Sequence, residues 1–138
     1  MIAYERAVHF HEVDAAGLVF FPHFLTYAHE AMERLFASLD GGYVGLVQGR
    51  RIGLPAVRVD CEFVAPLRYG DTARIETSIA RLGGRSMVLR YRFVRVIDNA
   101  RAAELEHTVV TTDLDRMQSC PMPDDVRRVA EQHVEEPG

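Results

Sequence analysis

His11-Glu12-Val13-Asp14-Ala15-Ala16-Gly17-Leu18-Val19-Phe20-Phe21-Pro22-His23-Phe24 sets a carboxylate in a small-residue turn, then leads through an apolar run into a helix. Pro22 suits a first helical position, because its fixed φ and missing N–H cost nothing there. Phe20 and Phe21, just before it, have no side chain that could cap the free amides of the first turn. An uncapped helix start in apolar surroundings leaves N–H groups for a carbonyl oxygen or an anion. One short segment thus offers a carboxylate and a group that polarises an electrophile, the minimum for attack on an acyl group.

Working outward, Ala3 to His11 reads as a first strand that the Ala15-Ala16-Gly17 turn ends. From Pro22 to about Leu39 the spacing is helical. Phe24, Ala28, Ala31, Leu35 and Leu39 make one stripe, and Leu25, Met32 and Phe36 widen it. A helix this apolar must be covered on most sides, which suggests a sheet wrapped around it. Glu30 and Arg34 are spaced as an i,i+4 pair, and Gly41-Gly42 supplies the stop. Tyr43 to Gly53 reads as a connection with one irregular helical turn.

The period then changes to two. Val57, Val59, Cys61 and Phe63 share one face; Ala73, Ile75 and Ile79 share another row beyond Pro66. Gly83-Gly84 reads as a hairpin turn, followed by Met87, Leu89, Tyr91 and Phe93 on one face of a long strand. Asp98-Asn99 turns the chain into a last strand with Leu105, His107, Val109 and Thr111. Asp124 reads as the cap of a short helix carrying Val126, Val129 and Ala130, and Glu135 to Gly138 as a frayed end. The order predicts an α+β class: a curved five-stranded antiparallel sheet around one long central helix, as a single domain over residues 1–138. Its open edges invite pairing with a second copy.

The 138 residues carry a formal net charge of -4, which argues against a general nucleic-acid binder. Cys61 and Cys120 form no CxxC pair, so a reducing compartment is the default, and Cys61 reads as a small buried hydrophobe. No apolar run reaches membrane-spanning length and no signal core opens the chain, so the expectation is a cytoplasmic protein without a membrane partner. The histidines form no H-x-x-x-H or H-E-x-x-H pattern, so no metal site is expected.

The run from Asp14 through Gly17 to Pro22, entered from a strand and leaving into a helix, resembles the 4-hydroxybenzoyl-CoA thioesterase family of the hot-dog fold. Phe63-Val64-Ala65-Pro66-Leu67-Arg68-Tyr69-Gly70-Asp71 is similar to a second stretch of that family. Val13 departs from the Thr or Cys the family usually places before its Asp. The resemblance implies a hot-dog acyl-CoA thioesterase acting on an aryl- or medium-chain acyl-CoA. It also implies a homodimer with a continuous sheet, or a homotetramer, and no cofactor beyond the coenzyme A of the substrate.

On this reading Asp14 is the nucleophile, giving a mixed anhydride, or the general base that activates water; the sequence does not choose. The opposing reading makes Asp14 an Asx-turn residue that only shapes the bend to Gly17. The resemblance implies that the Phe21 amide polarises the thioester carbonyl. Gly17 serves the backbone conformation of the turn or a close approach. Phe20, Phe21 and Phe24 suit an apolar acyl group, and His29, nearer the apolar stripes than the polar face, is a candidate pocket wall. Arg81 and Arg85 flank the Gly83-Gly84 turn, and with Ser86 they are candidates for the coenzyme A phosphates; Arg50-Arg51 is a second option. Hydrolysis from an acyl carrier protein is an alternative that the sequence barely separates from acyl-CoA hydrolysis, since a groove with basic residues serves either carrier. Non-catalytic binding of acyl-CoA, and a hydratase, for which no Asp–His pair can be built, fit less well.

Overall fold

The computed structural model describes residues 1–136. It begins with strand β1 (Ile2–Ala7), shorter than the sequence predicts. The chain leaves the sheet before His9, and Phe10–Glu12 close a 3-10 turn, so the strand does not run on to His11. Helix α1 (His23–Leu35) follows, extended by a 3-10 turn over Phe36–Ser38. Pro22 has helical angles (φ -62°, ψ -24°) and stands at the cap position, one residue before the helix proper.

The Tyr43 to Gly53 connection is more ordered than expected. It holds a short helical turn α2 (Gly42–Val44), a π turn over Gly45–Gly49 and strand β2 (Ile52–Gly53). The long strands are β3 (Ala56–Phe63), β4 (Thr72–Leu82), β5 (Ser86–Arg95) and β6 (Ala100–Val110). Short strands β7 (Thr112–Asp113) and β8 (Gln118–Ser119) precede helix α3 (Asp124–Glu131). Asp124 does not cap α3. Pro123 holds the cap position and makes no side-chain cap bond, while Asp125 accepts from the Val126 amide.

The main sheet is five-stranded in the order β1-β4-β5-β6-β3, with every pair antiparallel, as the sequence predicts. A second small sheet, β2-β7-β8, was not legible in the sequence. The period-two rows face α1 and make the core. Ile75, Leu89, Tyr91, Phe93, Leu105 and Val109 are at most 1% exposed. Against them lies the α1 stripe Phe24, Ala28, Ala31 and Leu35, joined by Tyr27, which is fully buried.

Three local expectations change. Glu30 pairs with Arg6 of β1 rather than with Arg34, whose guanidinium sits over the Tyr4 ring. The tail does not fray at Glu135: its amide donates to the Ile79 carbonyl and its carboxylate takes Ser78 and Arg90. Pro137 and Gly138 lie outside the described residues. β3 is an edge strand whose predicted apolar face is largely uncovered, with Val57 62% and Phe63 51% exposed. Among the described residues no helix is long and apolar enough to cross a membrane.

Candidate active site

The loop from Glu12 to Phe21 is a tight reversal. Val13 bridges Val19, the Asp14 amide donates to the Leu18 carbonyl at 2.8 Å, and the Phe20 amide donates to the Glu12 carbonyl at 2.9 Å. The returning leg is tied to the β3 exit, where Leu18 bridges Arg68 and the Val19 amide donates to the Leu67 carbonyl.

Asp14 stands at the exposed tip. Its Oδ1 accepts from the Ala16 amide (2.9 Å) and the Leu18 amide (3.2 Å), while its carbonyl accepts from the Gly17 amide. The Asx-turn role is therefore real, and it occupies only one carboxylate oxygen. Among the described residues Oδ2 has no hydrogen-bond partner. Gly17 has φ +80°, and a Cβ there would meet nothing within 4 Å, so within this chain the glycine serves the backbone angle and not a close approach.

At the other end of the loop, the amides of His23, Phe24 and Leu25 donate to the carbonyls of Phe20, Phe21 and Pro22. Pro22 has no N–H. The Phe21 amide is left, and among the described residues it donates to nothing. The single undonated N–H at this helix start is the one that the resemblance implies.

Beside it is an apolar cavity of about 320 Å³, walled by Phe21, Phe24, Phe63, Val64, Pro66 and Leu67. Phe24 is 4% exposed and packs edge-on against Phe63 and Phe93. Phe20 does not line this cavity; its ring is exposed and packs on Phe21 and His23. Phe63, from the β3 exit, replaces it as a wall.

The base of the loop holds a residue that sequence reasoning missed. Glu12 is 3% exposed, and its Oε1 accepts from Arg6 Nη1 (2.6 Å), the His9 amide (2.8 Å) and the Tyr27 hydroxyl (2.9 Å). Arg6 also lies 4.0 Å over the Tyr27 ring and donates to Glu30. Burial works to raise the Glu12 pKa, but the bonds from Arg6, His9 and Tyr27 outweigh it and hold the carboxyl at about 2. Burial and the bond to Glu12 push the Tyr27 hydroxyl the other way, above its ordinary range. A separation of six residues marks no pair in a helix or a strand, so the Arg6–Glu12 contact carried no signal in the sequence; it depends on the intervening turn and on Tyr27 arriving from α1.

Residues 8–129 match the family model of the thioesterase-like superfamily. The chain belongs to this superfamily. A 1,4-dihydroxy-2-naphthoyl-CoA hydrolase of Thermosynechococcus vestitus is 30% identical over 122 residues, 88% of this chain and 82% of the relative. A gentisyl-coenzyme A thioesterase of known structure is 30% identical, with a TM-score of 0.82 over 94% of this chain and 99% of its own. A thioesterase superfamily structure from Jannaschia is 26% identical, with a TM-score of 0.89 over 98% of this chain and 94% of its own. The sheet order, the central helix and the family together make the protein a hot-dog thioester hydrolase.

Within one chain of this thioesterase, the remaining sequence-predicted residues lie apart from the Asp14 loop. His29 lines a second cavity of about 210 Å³ further along α1, and its exposed ring is 3.9 Å from Glu33. Ser86 pairs with Val110, whereas Phe93 pairs with Ala103 and through it with Phe63. Seven residues along β5 separate those levels, about 23 Å at the usual strand rise. Arg81, Arg85 and Ser86 therefore stand at the opposite end of the sheet from the Phe63 cavity. Arg85 donates to Ser119, and Arg81 has no partner among the described residues. Arg50 and Arg51 are held by Asp125 and Asp115, which removes them as free cations.

Proposed function

We propose that this thioesterase hydrolyses an aryl-coenzyme A thioester to the free acid and coenzyme A, with Asp14 as nucleophile or general base and the Phe21 amide polarising the thioester carbonyl. One arrangement carries the reading. A single loop bears an unpartnered carboxylate oxygen at its tip and an undonated N–H at its exit, and the exit borders an apolar cavity. As the carbonyl carbon becomes tetrahedral, negative charge gathers on its oxygen, and a fixed N–H at a helix start stabilises that charge without reorganising. Asp14 Oδ2 either bonds to the carbon and expels the coenzyme A thiolate, leaving an anhydride that water opens, or takes a proton from the attacking water.

The aromatic walls Phe21, Phe24 and Phe63 favour an aryl acyl group, and two relatives at 30% identity are named for aryl-CoA substrates. The uncovered β3 edge, with Val57, Val59 and Phe63, supports a homodimer that continues the sheet from one copy into the next. Antiparallel pairing of two β3 strands would set the Ser86 end of one copy beside the Phe63 end of the other. Arg81, Arg85 and Ser86 of a second copy would then serve the coenzyme A phosphates. The test is a panel of acyl-CoAs read with a thiol-trapping dye. The expected result is a higher kcat/KM for benzoyl- and naphthoyl-CoA than for hexanoyl- and octanoyl-CoA. A preference for the aliphatic thioesters would overturn the aryl assignment.

A further inference from the structure

The second cavity contains a polar feature that the reaction above does not use. Ala103, Leu105, His107 and Val109 alternate along the α1-facing side of β6, and the three apolar members are at most 1% exposed. His107 sits in this apolar row, in register with Leu89 on one side and Val59 on the other. The fully buried Tyr91 places its hydroxyl 3.1 Å from His107 Nδ1, its one partner among the described residues.

That contact fixes the tautomer. Burial pushes the Tyr91 pKa up and the hydroxyl keeps its proton; that buried proton has no other acceptor among the described residues, so it is satisfied at Nδ1. Burial first, and the nearby His29 second, push the His107 pKa down and favour the neutral ring. A neutral imidazole that accepts at Nδ1 carries its hydrogen on Nε2. The ring lines a cavity of about 210 Å³ whose other walls include Leu25, Ala28, Val59 and Leu105, with His29 beside them. Phe24 of α1 walls the first cavity and Ala28, one helical turn further along α1 and about 6 Å on, walls the second, while β3 supplies Phe63 to the first and Val59 to the second. The cavity therefore lies down the same α1–β3 cleft as the proposed reaction centre, at about the reach of a substituted ring system.

We infer that this cavity receives the far end of the acyl group, and that the Nε2–H of His107, set by Tyr91, donates a hydrogen bond to an oxygen substituent on the ring. The inference rests on the aryl-CoA reading above and adds its specificity determinant: a ring carrying an oxygen distal to the thioester. A donor among apolar walls rewards a substrate that brings an acceptor and penalises one that leaves the donor unpaired.

The experiment measures kcat/KM for two matched pairs, benzoyl-CoA with 4-hydroxybenzoyl-CoA and 2-naphthoyl-CoA with 6-hydroxy-2-naphthoyl-CoA. The enzymes are wild type, His107→Leu, His107→Gln and Tyr91→Phe, with thermal unfolding as a fold check. Wild type should favour the hydroxylated member of at least one pair roughly tenfold or more. His107→Leu should bring that ratio close to one, with the larger loss on the hydroxylated substrate. His107→Gln keeps an N–H donor and should retain part of the preference, and Tyr91→Phe, which frees the tautomer, should reduce it. Equal rates within both pairs in wild type, or a preference that survives His107→Leu, would overturn the His107 site and leave the aryl-CoA reading standing. If His107→Leu does not fold, the wild-type ratio and His107→Gln decide. Failure of wild type to hydrolyse any of the four would overturn both.

Discussion

The Tyr27 hydroxyl meets the Glu12 carboxylate at 2.9 Å, and this bond joins the middle of α1 to the base of the loop that carries Asp14. Through the same oxygen, Arg6 ties β1 to that junction. Glu12 also holds the Phe20 amide through its carbonyl, one residue before Phe21. The position of the loop is thus set by a nearly buried carboxylate rather than by apolar packing alone.

A pH dependence of stability follows. The folded-state pKa of Glu12 is lowered from 4.5 to about 2, so its stabilising contribution is present above about 4.5 and is lost as pH falls towards 2. Glu12→Gln leaves Arg6 facing a neutral amide and should lower the unfolding free energy at pH 7 by about 3 kcal/mol, the usual cost of breaking a buried ion pair from one side, and urea titrations should find wild type and variant converging between pH 4 and 2. A gap that stays constant across that range would show that Glu12 does not fold as an ion.

The Phe21 amide is tested by removing its hydrogen. Phe21→Pro deletes the N–H, and Phe21→Ala keeps it while deleting the ring. Loss of one oxyanion donor typically costs about 10²–10³ in kcat. Steady-state assays on variants with native circular dichroism should show a fall of that order for the proline and a smaller one for the alanine. Equal losses in the two would assign the effect to the ring.

Assembly follows from the β3 edge. Sedimentation at micromolar concentration should show a dimer or a larger even assembly. Val57→Lys puts a charge on an exposed apolar edge and should shift the protein towards monomer while lowering kcat/KM. A fully active monomer would contradict a shared site.

Arg81→Ala and Arg85→Ala should raise KM for acyl-CoA with little change in kcat, because a phosphate contact is made equally in ground and transition states. The same changes should leave KM for a short pantetheine thioester unaltered. Unchanged KM values for acyl-CoA in both variants would remove these arginines from substrate binding.

The core was legible because period-two and helical spacing state directly which side chains share a face: Met87, Leu89, Tyr91 and Phe93, and Phe24, Ala28, Ala31 and Leu35, are buried as read, whereas Leu25, read as widening the stripe, is 48% exposed. Spacing does not state whether a face is covered, which is why Val57 and Phe63 emerged half-exposed on an edge. Phe20 and Phe21 are adjacent apolar residues of one type, and only the turn geometry decides which lines the cavity. Nothing local marks Glu12 as buried, because its side-chain partners Arg6 and Tyr27 come from two other elements. The separation of Arg85 from Asp14 depends on strand register, which one sequence leaves open.

The central claim is that Asp14 acts on the substrate as well as shaping its turn. An asparagine at position 14 retains an Oδ1 that can accept from the Ala16 and Leu18 amides, so the loop should survive. It loses the charge on the unpartnered oxygen. Measured side by side on a folded Asp14→Asn variant, kcat for an aryl-CoA should fall by about 10²–10⁴-fold or more, while affinity for the thioester is retained or tightens. A variant that turns over near the wild-type rate would contradict the claim and leave Asp14 as a turn residue alone.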